Sequence, residues 1–189
     1  MNLFHRYYCN SDGWATVVKK RMIPWVLEKA DLGDNVLEIG PGPGRTTEWL
    51  RDNVPHLTAI EIDHKLAQKL QRFASEKVRI VEGDATKMSL LSDTYSSAVC
   101  FTMLHHVPSE SLQDKLLAEA FRVLRPGGLF TGSDSTPSLR WRIYHIMDTC
   151  VAIDPAKFEA RLKNAGFTNI AVEALPKYHT FKFSARKPS

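Results

Sequence analysis

Residues 36–44 have the sequence VLEIGPGPG, and the expected architecture of the chain follows from them. The stretch begins as an apolar run typical of a buried strand and continues into a turn with three glycines, after which residues 45–52 have a helical pattern. Glycines at such a turn allow the backbone to bend sharply and a ligand to approach without meeting a Cβ atom. A strand, a glycine-rich turn and a helix in this order predict the first βα unit of a parallel sheet, with a ligand at the turn.

Short apolar runs continue to alternate with helical patterns along the chain, which predicts further βαβ units. Residues 11–31 are expected to be helical, with a kink or split at Pro24, and Asp63 is expected to cap a helix. Two final strands, joined by a tight turn at Pro176 and Lys177, are expected to be antiparallel. Strands are predicted at residues 35–40, 57–62, 77–82, 97–102, 129–133, 169–175 and 178–185, with further helices at residues 110–124 and 138–151 and from Pro155 to Gly166.

Composition limits the class of protein. The chain has 189 residues, 43% of them hydrophobic and 24% charged, which predicts one globular domain and excludes a largely disordered chain. No apolar run predicts a membrane helix or a secretory signal. The three cysteines are widely spaced, so we expect no metal site, no disulfide framework and a cytoplasmic location. The net charge of +4 is compatible with anionic partners, but no dense basic block predicts a nucleic-acid arm.

Two acidic residues follow the glycine turn at the ends of predicted strands. Glu61 lies 17 residues after Gly44, where a carboxylate can accept hydrogen bonds from both hydroxyls of a ribose. Asp84 closes the third predicted strand, where it can accept the exocyclic amine of an adenine. A dinucleotide is the first candidate ligand, but Arg45 stands where that fingerprint needs a third glycine, and its side chain is expected to obstruct close helix–strand packing. We therefore expect an adenosyl ligand, and neither NAD nor NADP.

In this order, these residues resemble the class I S-adenosylmethionine-dependent methyltransferases. Residues 36–44 resemble the first motif of that family, residues 122–128 (RVLRPGG) resemble the turn before its fifth strand, and residues 158–167 resemble the end of its late helix. The resemblance implies a Rossmann-like α/β fold with a seven-stranded mixed sheet of order 3-2-1-4-5-7-6, in which strand 7 is antiparallel. Ser96 departs from the acid that many members carry at the start of the fourth strand, which bears on packing more than on chemistry.

The resemblance also implies that the cofactor is S-adenosyl-L-methionine. Glu61 then corresponds to the ribose-binding acid of the family, and Asp84 to its adenine-binding acid. The residues expected to contact the cofactor are Glu38, Gly40, Gly42, Gly44, Glu61, Ile62, Asp84, Ala85 and Phe101.

The residues after the fourth predicted strand bear on the methyl acceptor. The glycine turn and residues 60–63 resemble those of ribosomal-RNA adenine methyltransferases, but those enzymes carry an Asn/Asp-Pro-Pro-aromatic tetrapeptide where this chain has Leu104-His105-His106. The Leu-His-His version resembles small-molecule methyltransferases that act on quinones, lipids or secondary metabolites. An oxygen or carbon nucleophile must lose a proton, and neutral histidine accepts one near neutral pH. His105 and His106 are therefore the candidate catalytic residues, with packing or capping as the alternative role for each.

Substrate contacts are expected from segments outside the shared core. Residues 1–30 are interpreted as a helical lid, and residues 135–153 as an insert in a cofactor-binding core of residues 31–189. Both segments carry aromatic residues and scattered arginines, which suit an amphipathic or anionic acceptor. We therefore predict methyl transfer to a small or lipid-like molecule, with an RNA or protein acceptor, or a non-catalytic cofactor-binding module, as alternatives. The candidate substrate residues are Tyr7, Tyr8, Arg140 and Tyr144.

Overall fold

The strands form one mixed sheet, and its topology confirms the predicted one. The structure is a computed structural model that describes residues 7, 9–146 and 148–189, without the side chains of Arg140 and Tyr144. The strand order is β3-β2-β1-β4-β5-β7-β6. Strand β7 runs antiparallel to both of its neighbours, and the other neighbouring strands are parallel. The strands are β1 Asn35–Ile39, β2 His56–Glu61, β3 Val78–Glu82, β4 Tyr95–Phe101, β5 Leu124–Ser135, β6 Thr168–Leu175 and β7 Thr180–Arg186.

Helices connect the strands, and their starts agree with the capping residues in the sequence. Asp63 caps α4 by accepting a hydrogen bond from Leu66 N, and Asp154 caps α7 by accepting one from Ala156 N. The α-helices are α1 Asp12–Val17, α2 Ile23–Leu27, α3 Arg45–Asn53, α4 His64–Leu70, α5 Glu110–Val123, α6 Leu139–Tyr144 and α7 Pro155–Asn164. A π-helical turn, Val18–Met22, joins α1 to α2, and 3₁₀ turns occupy Gln71–Phe73, Leu104–His106 and Pro176–Tyr178.

Two hydrophobic cores lie on opposite faces of the sheet, because alternate residues of a strand point to opposite sides. On one face, Leu37 and Ile39 of β1 pack in a core that includes residues of α5 and α7. On the other face, Val36 packs in a core that includes residues of α2, α3 and α4. Covering both faces leaves the ends of the parallel strands as the place where a ligand can bind.

The N-terminal helical segment contributes to the second core. It is split as predicted, but the π-helical turn that splits it precedes Pro24, which lies in the first turn of α2. Val18 and Ile23 are each 1% exposed and lie in the same core as Leu50 of α3. This packing restricts any lid to the residues that precede Val18.

The predicted helix over residues 138–151 is wrong in its second half. Among the described residues of this range, only Leu139–Tyr144 is helical. The chain beyond it forms hydrogen bonds with the 3₁₀ turn that follows β4, where Val151 N donates to His105 O at 2.8 Å, and with Gln113 of α5. Because these bonds replace the i to i−4 bonds of a helix, the segment cannot continue α6.

Two other predicted boundaries also differ. Strand β5 begins at Leu124, five residues before the predicted start, because the Arg-Pro-Gly-Gly stretch after it forms an irregularity in the pairing with β4. The predicted turn at Pro176 and Lys177 is the 3₁₀ turn Pro176–Tyr178, and His179, which follows it, has a left-handed conformation. Ser96, at the position where many family members carry an acid, has structural contacts of its own, since its Oγ donates to Leu32 O at 2.7 Å and accepts from Asn35 N at 2.9 Å.

Candidate active site

A cleft of about 920 Å³ opens at the carboxyl ends of the parallel strands. Strand β1 is followed by β2 on one side and flanked by β4 on the other, so the strand order reverses between β1 and β4. Ligands of parallel α/β sheets bind at such a point. The cleft has a β1–β2 end, lined by Gly40, Gly42 and Glu61, and a β4–β5 end, lined by His105 and His106.

The three glycines of the turn have different roles, although all have positive φ angles, 65° at Gly40, 56° at Gly42 and 86° at Gly44. A Cβ atom on Gly40 would lie 2.2 Å from the side chain of Met103, and one on Gly44 would lie 2.7 Å from that of Leu70. A Cβ atom on Gly42 would meet none of the described residues within 4 Å. Gly40 and Gly44 therefore allow close packing, and Gly42 leaves room in the cleft.

Glu61 links the glycine turn to the end of β2. Its Oε2 atom accepts a hydrogen bond from Gly42 N at 2.9 Å, and its Oε1 atom accepts one from Asp63 N at 2.9 Å. The side chain is buried, and burial raises the pKa of Glu61 while the backbone hydrogen bonds oppose the rise. Because a carboxylate has about four lone-pair sites, Glu61 keeps acceptor capacity for the two hydroxyls of a ribose.

Glu38 lies beneath the turn, outside the described lining of the cleft. Its carboxylate accepts hydrogen bonds from the hydroxyls of Thr46 and Thr47, the latter at 2.7 Å, in the first turn of α3. Burial raises the pKa of Glu38 to about 7, and the nearby charge of Glu61 adds to this effect. This geometry gives Glu38 the means to hold the turn against α3. The prediction that Glu38 contacts the cofactor itself has no support from this placement.

Arg45, expected to obstruct close helix–strand packing, is partly exposed and lines the cleft. Its guanidinium donates a hydrogen bond to the carbonyl of Asn10. A close approach between the turn and α4 occurs at Gly44.

The other predicted cofactor residues line the cleft together. Asp84 Oδ1 accepts from both N and Oγ1 of Thr86 at 2.8 Å, which orients the carboxylate at the end of β3. Ile62 is 68% exposed, although it lines the cleft, so its apolar surface is available to a ligand. Ala85 and Phe101 complete this set.

The two candidate catalytic histidines have different surroundings. His105 is buried, and its Nδ1 atom lies 2.5 Å from Oδ1 of Asp134 at the end of β5. Its Nε2 atom is also buried, with no hydrogen-bond partner among the described residues. Because an ionised carboxylate can only accept, such a contact with Asp134 would place the proton of His105 on Nδ1 and the lone pair on Nε2. His106 is half-buried and lines the same end of the cleft.

Two residues of the predicted insert lie beside these histidines. The ring centroids of His105 and His145 are 5.0 Å apart, and Cys150 Sγ lies 3.6 Å from Nδ1 of His106. Burial lowers the pKa of His145 and raises the pKa of the Cys150 thiol to about 12. The sequence contains no signal for this grouping, because its members come from separate segments that only the fold brings together.

Only part of the predicted substrate set is described. Tyr7 is 79% exposed and is not among the described residues that line the cleft. Tyr8 and the side chains of Arg140 and Tyr144 lie outside the described part of the structure. Sequence reasoning also missed Thr102, a cleft residue with a φ of 48°, a conformation that a β-branched residue adopts only where its surroundings impose it.

Residues 37–131 match the family model of the methyltransferase domain. This match covers half of the chain, and together with the fold it places the chain in the class I S-adenosylmethionine-dependent methyltransferases. No helix in the described part of the chain has the length and apolar character that crossing a bilayer requires.

Similar proteins differ in what they are reported to act on. The chain is 49% identical over 53 residues to ribosomal RNA small subunit methyltransferase A of Bordetella pertussis, a match that covers 28% of this chain and 20% of that protein. A protein of Pyrococcus horikoshii OT3 has a similar structure, with a TM-score of 0.78, 18% identity, and coverage of 95% of this chain and 94% of that chain.

A third similar structure is phosphoethanolamine N-methyltransferase 2 of Haemonchus contortus, in complex with phosphomonomethylethanolamine and S-adenosylhomocysteine. Its TM-score is 0.73 at 15% identity, with coverage of 95% of this chain and 53% of that chain. At these identities, the two structural similarities establish the fold alone. The chain also spans only about a fifth of the length of the ribosomal RNA methyltransferase that it matches.

Proposed function

We propose that this protein transfers the methyl group of S-adenosylmethionine to a small or lipid-like acceptor. We assign the cofactor to the β1–β2 end of the cleft. There, Gly42 has no Cβ atom and lets the cofactor come close to the backbone, and Glu61 keeps acceptor capacity for the ribose. We assign the adenine to Asp84, Ala85 and Ile62, which also line the cleft. When bound, the sulfonium supplies an activated methyl group that a nucleophile can displace in line.

The observation that carries the proposal is the pairing of His105 with Asp134 at the β4–β5 end of the cleft. The acceptor nucleophile forms a bond to the methyl carbon, the electron pair of the breaking bond stays on sulfur, and the acceptor proton passes to His105 Nε2. Asp134 then stabilises the resulting imidazolium, as a buried carboxylate does for a general base in other enzymes. His106 lines the same end, and we assign it a positioning role.

The chemical character proposed for the acceptor rests on the helix beside this end of the cleft. Helix α6 has exposed apolar side chains, among them Leu139, which is 77% exposed and lines the cleft. Because α6 also carries arginines, it combines apolar surface with positive charge. This combination suits a molecule with an apolar body and an anionic group. Phosphomonomethylethanolamine, which is present in the Haemonchus contortus complex, is a small molecule with an anionic group bound by a protein of similar fold.

An RNA acceptor is the second candidate, supported by the short match to a ribosomal RNA methyltransferase and the net charge of +4. The test is transfer of a labelled methyl group from S-adenosylmethionine to panels of amphipathic small molecules and of RNA. We expect the wild type to label molecules of the small-molecule panel and Asp134→Asn to lose this labelling. Label confined to RNA, with binding that weakens steeply as salt increases, would establish the second candidate instead.

A further inference from the structure

We propose that His105, His106, His145 and Cys150 form a binding site for one Zn²⁺ ion at the β4–β5 end of the cleft. Each residue offers one ligand atom, and these four atoms all lie within 4.8 Å of one another. Three imidazole nitrogens and one thiolate are ligands that zinc prefers. The set contains no carboxylate, which argues against Mg²⁺ or Ca²⁺.

The separations are close to those of a tetrahedral site. Zinc bonds of about 2.0–2.1 Å to nitrogen and about 2.3 Å to sulfur give tetrahedral edges of roughly 3.4 Å between nitrogens and roughly 3.6 Å between nitrogen and sulfur. Cys150 Sγ and His106 Nδ1 are 3.6 Å apart, which is already such an edge. The most distant pair has to approach by roughly 1 Å, a movement within the range of side-chain rotation.

His105 provides a second, independent observation. Its side chain is 3% exposed, and its Nε2 atom is buried without a hydrogen-bond partner among the described residues. Asp134 accepts from the opposite ring nitrogen at 2.5 Å. A carboxylate bonded to the far nitrogen of a histidine is the usual second-shell partner of a zinc ligand, because it fixes the ring and strengthens its donor nitrogen.

The two segments that carry the ligands are joined by hydrogen bonds that need no metal. Val151 N donates to His105 O at 2.8 Å, next to Cys150 in the chain. The side chain of Gln113, which is 1% exposed, donates to Val151 O at 2.9 Å and to Leu104 O at 3.1 Å. The backbone is thus preorganised around the cluster, which lowers the cost of gathering the ligands.

Four protein ligands are characteristic of a closed, structural zinc site. Binding deprotonates the Cys150 thiol, and the proton is released to the solvent. The ion also occupies the Nε2 lone pair of His105. Where His105 is the proton acceptor, as in the proposed function, zinc therefore inhibits methyl transfer without displacing the cofactor.

Titration of the full, metal-free chain with Co²⁺ tests the site directly. We expect one equivalent to produce a thiolate-to-cobalt charge-transfer band and the strong visible bands of tetrahedral cobalt, and Zn²⁺ to displace it. Cys150→Ser is expected to abolish the charge-transfer band. Cys9→Ser is the matched control, because Cys9 is another cysteine that lines the cleft but lies outside the cluster, and it is expected to retain the band.

Two histidine variants, one inside the cluster and one outside it, extend the test. His145→Ala is expected to weaken Zn²⁺ binding by more than about 100-fold, and His56→Ala, an exposed position at the start of β2, is expected to leave it unchanged. Absence of the charge-transfer band in the wild-type chain, or its persistence in Cys150→Ser, would overturn the site. Calorimetry of the wild-type chain with S-adenosylhomocysteine separates the two proposals. If the chain binds cobalt but does not bind S-adenosylhomocysteine, the proposed function alone is refuted.

Discussion

Asp134 Oδ1 lies 2.5 Å from His105 Nδ1, and both side chains are buried. The pair forms because β4 and β5 are parallel neighbours whose carboxyl ends lie side by side, with Phe101 at the end of β4 paired to Ser133, the residue before Asp134. His105 N also donates to Asp134 Oδ2 at 3.2 Å, so the carboxylate is held to both the ring and the backbone of the histidine. This double contact fixes the imidazole at the β4–β5 end of the cleft.

Asp134→Asn is expected to lower the rate of methyl transfer by about 10²–10⁴-fold, because an amide no longer stabilises an imidazolium and can reverse the tautomer of His105. Affinity for S-adenosylhomocysteine is expected to stay unchanged. Nitrogen-15 NMR of the His105 ring measures the tautomer without an acceptor. An unchanged tautomer together with full activity would contradict the assigned role of Asp134.

Gly44→Ala and Gly42→Ala are expected to affect different properties. A methyl group on Gly44 would lie 2.7 Å from Leu70, so this variant is expected to lose about 1–3 kcal/mol of unfolding free energy. A methyl group on Gly42 would meet none of the described residues within 4 Å, although the φ of 56° strains an alanine, so this variant is expected to lose about 1 kcal/mol of unfolding free energy and, in addition, affinity for S-adenosylhomocysteine. Urea unfolding and calorimetry of both variants measure the two effects. Unchanged affinity for S-adenosylhomocysteine in a folded Gly42→Ala variant would show that Gly42 is not kept for this ligand.

Glu38 predicts a specific dependence of stability on pH. Burial raises its pKa from 4.5 to about 7, so between these values the folded state keeps a proton that the unfolded state releases. The stability contribution of Glu38 is therefore present below the unfolded pKa and is lost as the pH rises to 7. The unfolding free energy of the wild type, minus that of Glu38→Gln, is expected to fall by about 2–3 kcal/mol between about pH 5 and about pH 8.

The matched control for this prediction is Glu48→Gln, an exposed position on the same helix, α3. Its difference from the wild type is expected to be independent of pH over the same range. A flat difference for Glu38→Gln as well would mean that Glu38 ionises normally in the folded protein.

Leu139→Ser is expected to raise the KM for an apolar acceptor roughly tenfold with little change in kcat, because it removes about 1.4 kcal/mol of apolar contact. Leu91→Ser is the matched control, since Leu91 is 79% exposed and lies outside the described lining of the cleft. Steady-state kinetics with the acceptor found in the labelled-methyl screen measures the effect. The same KM in both variants would exclude α6 from the acceptor site.

Features encoded over short distances in the sequence were predictable. The strand and turn of residues 36–44, the cap at Asp63 and the final antiparallel strands follow from local patterns, and the structure has all three. The sheet order did not follow from local patterns; it was implied by the family resemblance and is confirmed.

The β4–β5 end of the cleft was only partly predictable. His105 and His106 were predicted as candidate catalytic residues. Asp134 was not predicted, because it lies 29 residues after His105 in a stretch with no distinctive motif. His145 and Cys150 lie in a segment expected to be helical, where hydrogen bonds to the 3₁₀ turn after β4 and to α5 determine the conformation instead. Tertiary contacts of this kind leave no periodic signal in the sequence.

Calorimetric titration of S-adenosylhomocysteine into the wild type and Glu61→Ala tests most directly the claim that this chain binds the cofactor at its glycine turn. Glu61→Ala removes the ribose acceptor and the hydrogen bond from Gly42 N, so we predict that binding weakens by about 1–3 kcal/mol. Glu48→Ala is the control, with wild-type affinity expected. Unchanged affinity in a folded Glu61→Ala variant would contradict the account.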